Sequence, residues 1–265
     1  MTFKKILVIG MLGALHLAFP VFAQAQVNGA FDRGSFISGK DTLPYRILFP
    51  KKFDPAQKYA LIFVLHGSGE RGTDNNAQLA YGPKLFLNDT IRQNYPAIVV
   101  YPQCPAGSYW SNVKIDTAGG KRTFHFQQGG EPTSAMGALL GLVNQMLDKP
   151  FVNKKQVYVG GLSMGGMGTF ELLRRKPKVF AAAFSICGGD NTNNAAVFAK
   201  KVPMWIFHGG KDNVVPIDHS DVMVAALKDA GAEPKYTVYP NDGHNSWDDA
   251  FNEPGLIPWL FSHKK

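Results

Sequence analysis

Short, almost wholly apolar runs alternate with helical patterns along most of this sequence. The run Tyr59–Leu65 reads Tyr-Ala-Leu-Ile-Phe-Val-Leu, and similar runs occupy residues 43–49, 97–101, 156–159, 180–186, 204–207 and 236–239. Continuous apolar strands are typical of a parallel sheet that is covered on both faces. Helical spacing of apolar residues occurs between them, at residues 134–147, 164–175 and 221–229. The pattern predicts an α/β sandwich with a mostly parallel central sheet, in which functional loops follow the carboxyl ends of the strands.

The first 25 residues have the features of an export signal. Lys4 and Lys5 give a basic start, residues 6–19 are almost entirely apolar, and Ala23 and Ala25 are small residues of the kind that a signal peptidase reads. We expect cleavage after one of these two alanines, and a secreted or periplasmic location. The alternative is an uncleaved membrane anchor, for which the apolar stretch is short.

Length and composition agree with one folded domain after the signal, at residues 26–265. Of the 265 residues, 45% are hydrophobic and 18% are charged, so a large core is expected and disorder is not. The formal charge of +8 falls to +6 without Lys4 and Lys5, and the basic residues occur as scattered pairs. A nucleic-acid partner is therefore not expected. Because the sequence has no phosphate-binding loop, no dinucleotide fingerprint and no metal-ligand spacing, we also expect no cofactor and no metal.

A possible nucleophile lies in Gly161-Leu162-Ser163-Met164-Gly165, which matches the pattern Gly-x-Ser-x-Gly. The motif follows a predicted strand and opens a predicted helix, which is the setting that a nucleophilic serine on a tight turn requires. The two glycines leave room for the turn, and the helix N-terminus stabilises developing negative charge.

A serine hydroxyl needs a base, and histidine is the usual one. His66 and His208 end apolar strands beside glycines, where structural roles are expected, while His16 lies in the signal and His263 in the tail. His244 lies on the loop that follows the last strand-like run. His244 is therefore the predicted base.

The base needs an acid to orient it, and Asp190, Asp212 and Asp242 are candidates. Asp212 follows the strand at residues 204–207 and gives the chain order Ser, Asp, His that is used by serine hydrolases with this strand–turn–helix motif. Asp190 is a rival because it follows the preceding strand, whereas Asp242 is too near the base in sequence. We predict Asp212 as the acid.

Two backbone N–H groups are needed to hold a developing oxyanion. Met164 follows the nucleophile and provides one. The loop after the strand Tyr59–Leu65 reads His66-Gly67-Ser68-Gly69, and its small residues let the backbone approach a substrate closely. Ser68 is the predicted second donor.

As a set, these motifs resemble one group of α/β-hydrolases. The residues that carry the resemblance are 66–72, Pro102-Gln103-Cys104-Pro105 with Trp110, 161–166 and 208–212, and the likeness runs from about residue 36 to the end. That group contains secreted esterases and "predicted peptidases" similar to dienelactone hydrolase, feruloyl and acetyl xylan esterases and polyhydroxybutyrate depolymerases. The resemblance implies a three-layer α/β-hydrolase sandwich with helices on both faces of the sheet. In the strand order that it implies, the strands before Cys104 and Cys187 are separated by two others, so both thiols are expected to be free.

Several neighbouring residues permit two interpretations. Trp110 lies on a loop at the carboxyl end of a strand and either packs or binds substrate; we take it as a candidate substrate-binding residue. Residues 111–130 match no motif and are expected to border the cleft. Adjacent Glu70 and Arg71 favour an ion pair that fixes their loop, with a substrate clamp as the alternative. Trp247 is expected to pack.

Together these features predict a serine-dependent carboxylic ester hydrolase that acts through an acyl-enzyme. The resemblance implies esters of plant polysaccharide or a similar polymer, of the feruloyl or acetyl type, as substrates. One alternative is a serine peptidase on the same fold. Another is a non-catalytic carbohydrate-binding protein on a hydrolase scaffold, which the complete set of Ser, His and Asp disfavours.

Overall fold

The computed structural model describes residues 27, 29–39 and 41–265. The predicted export signal, residues 1–25, lies outside the described residues. Ten strands are present in the described part: β1 Asp32–Ser38, β2 Asp41–Leu48, β3 Tyr59–Leu65, β4 Ala97–Pro102, β5 Val113–Ala118, β6 Lys121–Phe126, β7 Val152–Leu162, β8 Ala182–Ile186, β9 Met204–Gly209 and β10 Lys235–Tyr239.

Eight α-helices lie among the same residues: α1 Pro83–Leu87, α2 Asp89–Asn94, α3 Ser134–Leu147, α4 Met164–Arg175, α5 Ala195–Phe198, α6 Asp218–Asp229, α7 Trp247–Asn252 and α8 Leu256–Ser262. Single 3₁₀ turns occur at Ser68–Glu70, Ala77–Leu79 and Thr192–Asn194. Helix α3 begins where the side chain of Thr133 accepts a hydrogen bond from Met136 N at 3.1 Å, which satisfies one of the N–H groups at the helix start.

Eight strands form the central sheet in the order β1-β2-β4-β3-β7-β8-β9-β10. Strand β2 runs antiparallel to both of its neighbours, and the remaining pairs from β4 to β10 are parallel. The mostly parallel sheet that the sequence predicts is confirmed. Its carboxyl edge therefore collects the loops that follow β3, β4, β7, β8, β9 and β10.

Side chains on each strand alternate between two separate cores. In β3, Leu61, Phe63 and Leu65 face one cluster, while Ile62 and Val64 face the other. Helices α3, α4, α5 and α6 cover the first face, and α1, α7 and α8 cover the second. A strand that is buried on both sides must be apolar at every position, which explains the continuous runs in the sequence. The predicted three-layer sandwich is confirmed.

Residues 111–130 form a separate β-hairpin of β5 and β6. Gly119 and Gly120 connect the strands with φ angles of +57° and +78°, a turn geometry that glycine adopts readily. The hairpin packs through Phe124 on Met167 of α4 and on Val215. It therefore lies over the start of the helix that follows Ser163.

Both cysteines are free and buried. Cys104 follows β4 and Cys187 follows β8, and β3 and β7 lie between those two strands in the sheet. The prediction of two free thiols is confirmed. Among the described residues, every helix is too short or too polar to cross a membrane.

Candidate active site

Ser163 lies on a sharp turn between β7 and α4. Its backbone has φ 52° and ψ −117°, a conformation that L-residues rarely adopt. The turn also demands glycine on either side: a Cβ at Gly161 would lie 2.5 Å from the carbonyl oxygen of Leu65, and one at Gly165 would lie 2.0 Å from the same atom. These glycines let the turn approach the end of β3, and the serine is held at the carboxyl edge of the sheet.

Ser163, His244 and Asp212 form one chain of hydrogen bonds. Ser163 Oγ lies 3.0 Å from His244 Nε2, and His244 Nδ1 lies 2.7 Å from Asp212 Oδ2. Because a carboxylate oxygen only accepts, the proton of the neutral ring is on Nδ1 and the lone pair on Nε2 faces the hydroxyl. The three residues come from the loops after β7, β9 and β10, and the geometry suits removal of the serine proton.

The carboxyl group of Asp212 is held as an anion by donors on both oxygens. Oδ1 accepts from the backbone N–H groups of Val214 at 2.8 Å and Val215 at 3.0 Å. Burial alone would raise the pKa of Asp212, but hydrogen bonds from His208, His244 and Val215 outweigh it and lower the pKa below its usual range. Asp212 is therefore a carboxylate at any pH near neutrality.

The two rival acids lie in other surroundings. Asp190 accepts hydrogen bonds from the backbone of Asn191 at 2.8 Å and from the side chain of Asn194 at 3.1 Å, and burial raises its pKa to about 7. Asp242 lies near Asp249, and its burial, together with that neighbouring carboxylate, raises its pKa. Of the three candidates, Asp212 is the one that the structure places on His244.

Two other histidines end central strands, as the sequence indicates. His66 lies with Nδ1 2.6 Å from Gly67 O, and its Nε2 accepts from Cys104 N at 2.9 Å. Burial lowers the pKa of His66 to about 4, so this ring is neutral and joins two loops. His208 ends β9 and contacts Asp212 directly.

The two predicted oxyanion donors lie on adjacent loops. Met164 is the first residue of α4, where backbone N–H groups lack partners within the helix. Ser68 opens the 3₁₀ turn after β3, and β3 is the neighbour of β7 in the sheet. A Cβ at Gly67 would lie 2.9 Å from the side chain of Leu162, so this loop rests against the turn that carries Ser163.

Arg71 fixes the Ser68 loop through carbonyl groups. Its guanidinium donates to Ser68 O at 3.0 Å and to Ala106 O and Ser108 O at 3.2 Å each. The expected ion pair with Glu70 is wrong, because the Glu70 carboxylate accepts instead from the backbone N–H groups of Gly67 and of Glu70 itself. The loop is held, but by hydrogen bonds to the backbone.

The sequence profile of the phospholipase/carboxylesterase family of α/β-hydrolases matches residues 51–253, which include Ser163, Asp212 and His244. The chain belongs to this family. The solved structure of a thermostable esterase superposes with a TM-score of 0.79 and 31% sequence identity over 91% of this chain and 64% of that one. A ferulic acid esterase structure superposes with a TM-score of 0.64 over 87% of this chain and 96% of that one, and at 17% identity it supports the fold alone.

Among curated proteins, a bifunctional acetylxylan esterase/xylanase of Neocallimastix patriciarum is 28% identical over 159 residues. That match covers 58% of this chain and 21% of the relative. The chain thus spans about a fifth of that relative's length, so the relative's whole activity does not transfer with the match.

The tryptophan beside the site is Trp247 and not Trp110, which the sequence suggested. Trp110 is 0% exposed and packs edge-on against His66, with ring centroids 5.5 Å apart. The prediction that Trp110 binds substrate is therefore wrong; it is a core residue. Trp247 is partly exposed and lies edge-on to His244, with ring centroids 5.1 Å apart, and the Tyr81 ring lies 5.1 Å from Trp247. The sequence signal for Trp247 was its position three residues after His244.

The hairpin lies next to the site, because Phe124 packs with Val215, whose backbone N–H donates to Asp212. Glu171 of α4 is 1% exposed and accepts hydrogen bonds from Asn112 N, Arg174 and Arg175. These two arginines also donate to the carbonyl oxygens of residues 129 and 130 at the hairpin base. The helix that begins after Ser163 therefore anchors the hairpin.

One cluster in the site has atoms close enough to bind a metal ion. Ligand atoms of Cys187, Asp212 and His244 lie within 4.8 Å of one another. However, Asp212 and His244 already hydrogen-bond each other, and burial raises the pKa of the Cys187 thiol well above its usual range. A metal would need the thiolate and would break that hydrogen bond, so the donor set does not fit one.

Proposed function

We propose that this chain is a serine carboxylesterase that works through an acyl-enzyme on Ser163. The observation that carries the proposal is the continuous hydrogen-bond chain from Ser163 Oγ through His244 to Asp212. Ser163 lies on a strand–turn–helix, as nucleophilic catalysis on this fold requires. Membership of the phospholipase/carboxylesterase family supports an ester as the substrate.

In the first step, His244 Nε2 takes the proton of Ser163 as Oγ attacks the ester carbonyl. The positive charge that develops on the imidazole is stabilised by Asp212, whose low pKa keeps the carboxylate from taking the proton itself. The imidazolium then gives its Nε2 proton to the leaving alcohol, which leaves the acyl group on Ser163.

In the second step, His244 removes a proton from water, which attacks the acyl-enzyme, and then returns that proton to Ser163 Oγ as the acid leaves. Both tetrahedral intermediates carry an oxyanion. We assign its binding to the backbone N–H groups of Met164 and Ser68, which lie at the helix start and on the adjacent loop. Two such donors stabilise the charge that forms in the transition state.

For the substrate we propose esters of plant polysaccharide or a similar polymer, with a feruloyl or acetyl acid. The acetylxylan esterase relative supports this choice, and so do Trp247, whose ring lies beside His244, and Tyr81, whose ring contacts Trp247. Partly exposed aromatic rings bind sugar and phenyl rings well. We further propose that residues 1–25 direct export and that residues 26–265 act as one catalytic domain without a nucleic-acid partner.

The test of the mechanism is a fluorophosphonate probe, which labels only an activated serine. We expect one label per chain, located at Ser163 by mass spectrometry, and loss of both labelling and p-nitrophenyl acetate hydrolysis in Ser163→Ala. Ser185→Ala is the matched control, because among the described residues the Ser185 Oγ is buried and finds no hydrogen-bond partner. Wild type that is neither labelled nor active would refute the proposal and favour a non-catalytic binding protein. Full activity in Ser163→Ala would also refute it, because another group would then be the nucleophile.

The test of substrate class is a comparison of kcat/KM across acetylated xylan, methyl ferulate, p-nitrophenyl esters of increasing chain length, and peptides. We expect acetyl and feruloyl esters to be turned over best. Efficient hydrolysis of long-chain esters alone would indicate a lipid substrate. Efficient hydrolysis of peptides alone would indicate a serine peptidase.

A further inference from the structure

His208 is completely buried at the end of β9 and contacts Asp212. Its Nε2 lies 2.9 Å from Val215 O and 3.4 Å from Asp212 Oδ2. Its Nδ1 lies 2.7 Å from Ser220 Oγ, at the start of α6. Every nitrogen of this ring has a partner, and one of the partners is the acid of the proposed triad.

The partners fix which nitrogen carries the proton. A backbone carbonyl and a carboxylate oxygen only accept hydrogen bonds, so the proton between His208 and these two groups belongs to Nε2. The Nε2 proton therefore faces Val215 O at 2.9 Å as its nearer acceptor, with Asp212 Oδ2 as a second, longer contact at 3.4 Å. Ser220 Oγ holds the opposite side of the ring, which keeps Nε2 pointing at the turn that carries Asp212.

His208 contacts Asp212 Oδ2, the same oxygen that accepts the hydrogen bond from His244. Oδ1 of Asp212 is taken by the N–H groups of Val214 and Val215, whereas Oδ2 is shared between His244 Nδ1 and His208 Nε2. Rotation of the carboxylate would break all of these bonds. The same His208 N–H also bonds Val215 O, so one ring fixes both the carboxylate and the backbone turn that holds it.

We propose that His208 is a positioning residue for hydrolysis, which holds Asp212 Oδ2 against His244 so that Nε2 of the base faces Ser163. This inference rests on the proposed triad. His66 provides the internal comparison, because it too is a buried histidine that ends a central strand before a glycine. Its bonds go to backbone groups of Gly67 and Cys104 and not to a member of the triad.

The experiment compares His208→Leu, His208→Gln and the matched variant His66→Leu, each with p-nitrophenyl acetate. Loss of a hydrogen bond to a charged group predicts a fall in kcat of about 10- to 100-fold in His208→Leu, with KM within about twofold. The glutamine amide restores a donor at a similar reach, so His208→Gln should lie within about fivefold of wild type.

A low-field proton resonance from His244 Nδ1–H, recorded by NMR on the resting protein, supplies a readout that needs no turnover. We expect it in wild type, His208→Gln and His66→Leu, and broadened or shifted upfield in His208→Leu. Unchanged kcat and resonance in His208→Leu would overturn the positioning role. Loss of the resonance in all three variants would also overturn it, since that pattern indicates general disruption.

The two proposals fail separately. If wild type is not labelled at Ser163 and does not hydrolyse esters, the proposed function fails. If wild type is active while His208→Leu matches it in kcat and resonance, only the role of His208 fails.

Discussion

Two buried aspartates follow neighbouring strands of the sheet and have opposite acidities. Asp190 lies after β8 and Asp212 after β9, with residue exposures of 7% and 8%. Burial raises the pKa of Asp190 to about 7, while the pKa of Asp212 is lowered in spite of burial. Two carboxyl groups with nearly equal exposure therefore differ in acidity.

The difference lies in the hydrogen-bond donors. Asp212 has two backbone N–H groups and two histidine rings around its oxygens. Asp190 has one backbone N–H and the amide of Asn194, and the nearby Glu171 carboxylate opposes its ionisation. Asp212 therefore stays ionised at neutral pH because donors surround both of its oxygens, whereas Asp190 has fewer donors to offset its burial.

The largest expected effect separates the two aspartates by turnover. Asp212→Asn keeps the size of the side chain but loses the charge that fixes the tautomer of His244, so kcat should fall about 10⁴-fold. Asp190→Asn should cost at most about tenfold, because Asp190 bonds Asn191 and Asn194 and not the base. Steady-state kinetics of both variants test this prediction. A large fall of kcat in Asp190→Asn, with normal turnover in Asp212→Asn, would reverse the assignment.

A smaller effect separates them by stability. An acid whose pKa is raised in the folded state loses stability as pH rises from about 4 through about 7, because the unfolded chain ionises first. Asp190→Asn should therefore raise the melting temperature at pH 8, by about 2–4 °C for each kcal/mol of relieved destabilisation, and leave it nearly unchanged at pH 4.

Asp212 should behave in the opposite sense in the same melting experiment. Its lowered pKa adds stability above about pH 4 that is lost as the pH falls further. Asp212→Asn should then melt below wild type at pH 8, with the gap closing in acid. Equal shifts in the two variants would mean that their surroundings do not differ as described.

The smallest expected effect is that of chelation. If Asp212 orients His244, activity after exhaustive EDTA treatment and dialysis should match the untreated enzyme. If Asp212 instead binds a metal with Cys187 and His244, activity should fall and return with a divalent ion. That result would replace the orienting role by a ligand role.

Sequence alone predicts the elements that are buried on both sides. Strand β3 and helices α3 and α4 match the predicted bounds to the residue, because their apolar periodicity is fixed by the two cores. It also predicts that Ser163, Asp212 and His244 come together, since loops after parallel strands meet at one edge. The antiparallel strand β1 and the short helices on the second face lacked such periodicity and were missed.

What sequence reasoning could not supply was side-chain direction. Trp110 lies on a loop and Trp247 begins helix α7, both after strands of the carboxyl edge, yet Trp110 turns into the core and Trp247 contacts His244. The hairpin had a readable signal in the pair Gly119-Gly120 between alternating residues, which favours a two-residue turn. Side-chain rotamers and packing decide which of the two tryptophans is buried, and no sequence pattern encodes them.

The backbone of Ser163 has a consequence for how such a chain changes over generations. A non-glycine residue held at φ 52° and ψ −117° costs on the order of 1–3 kcal/mol, and glycine would remove most of that cost. Selection for a more stable fold and selection for hydrolysis therefore oppose each other at this one position. If Ser163 is the nucleophile, as proposed, a lineage no longer selected for ester hydrolysis would gain stability by losing it, which makes drift toward an inactive scaffold easier than return from it.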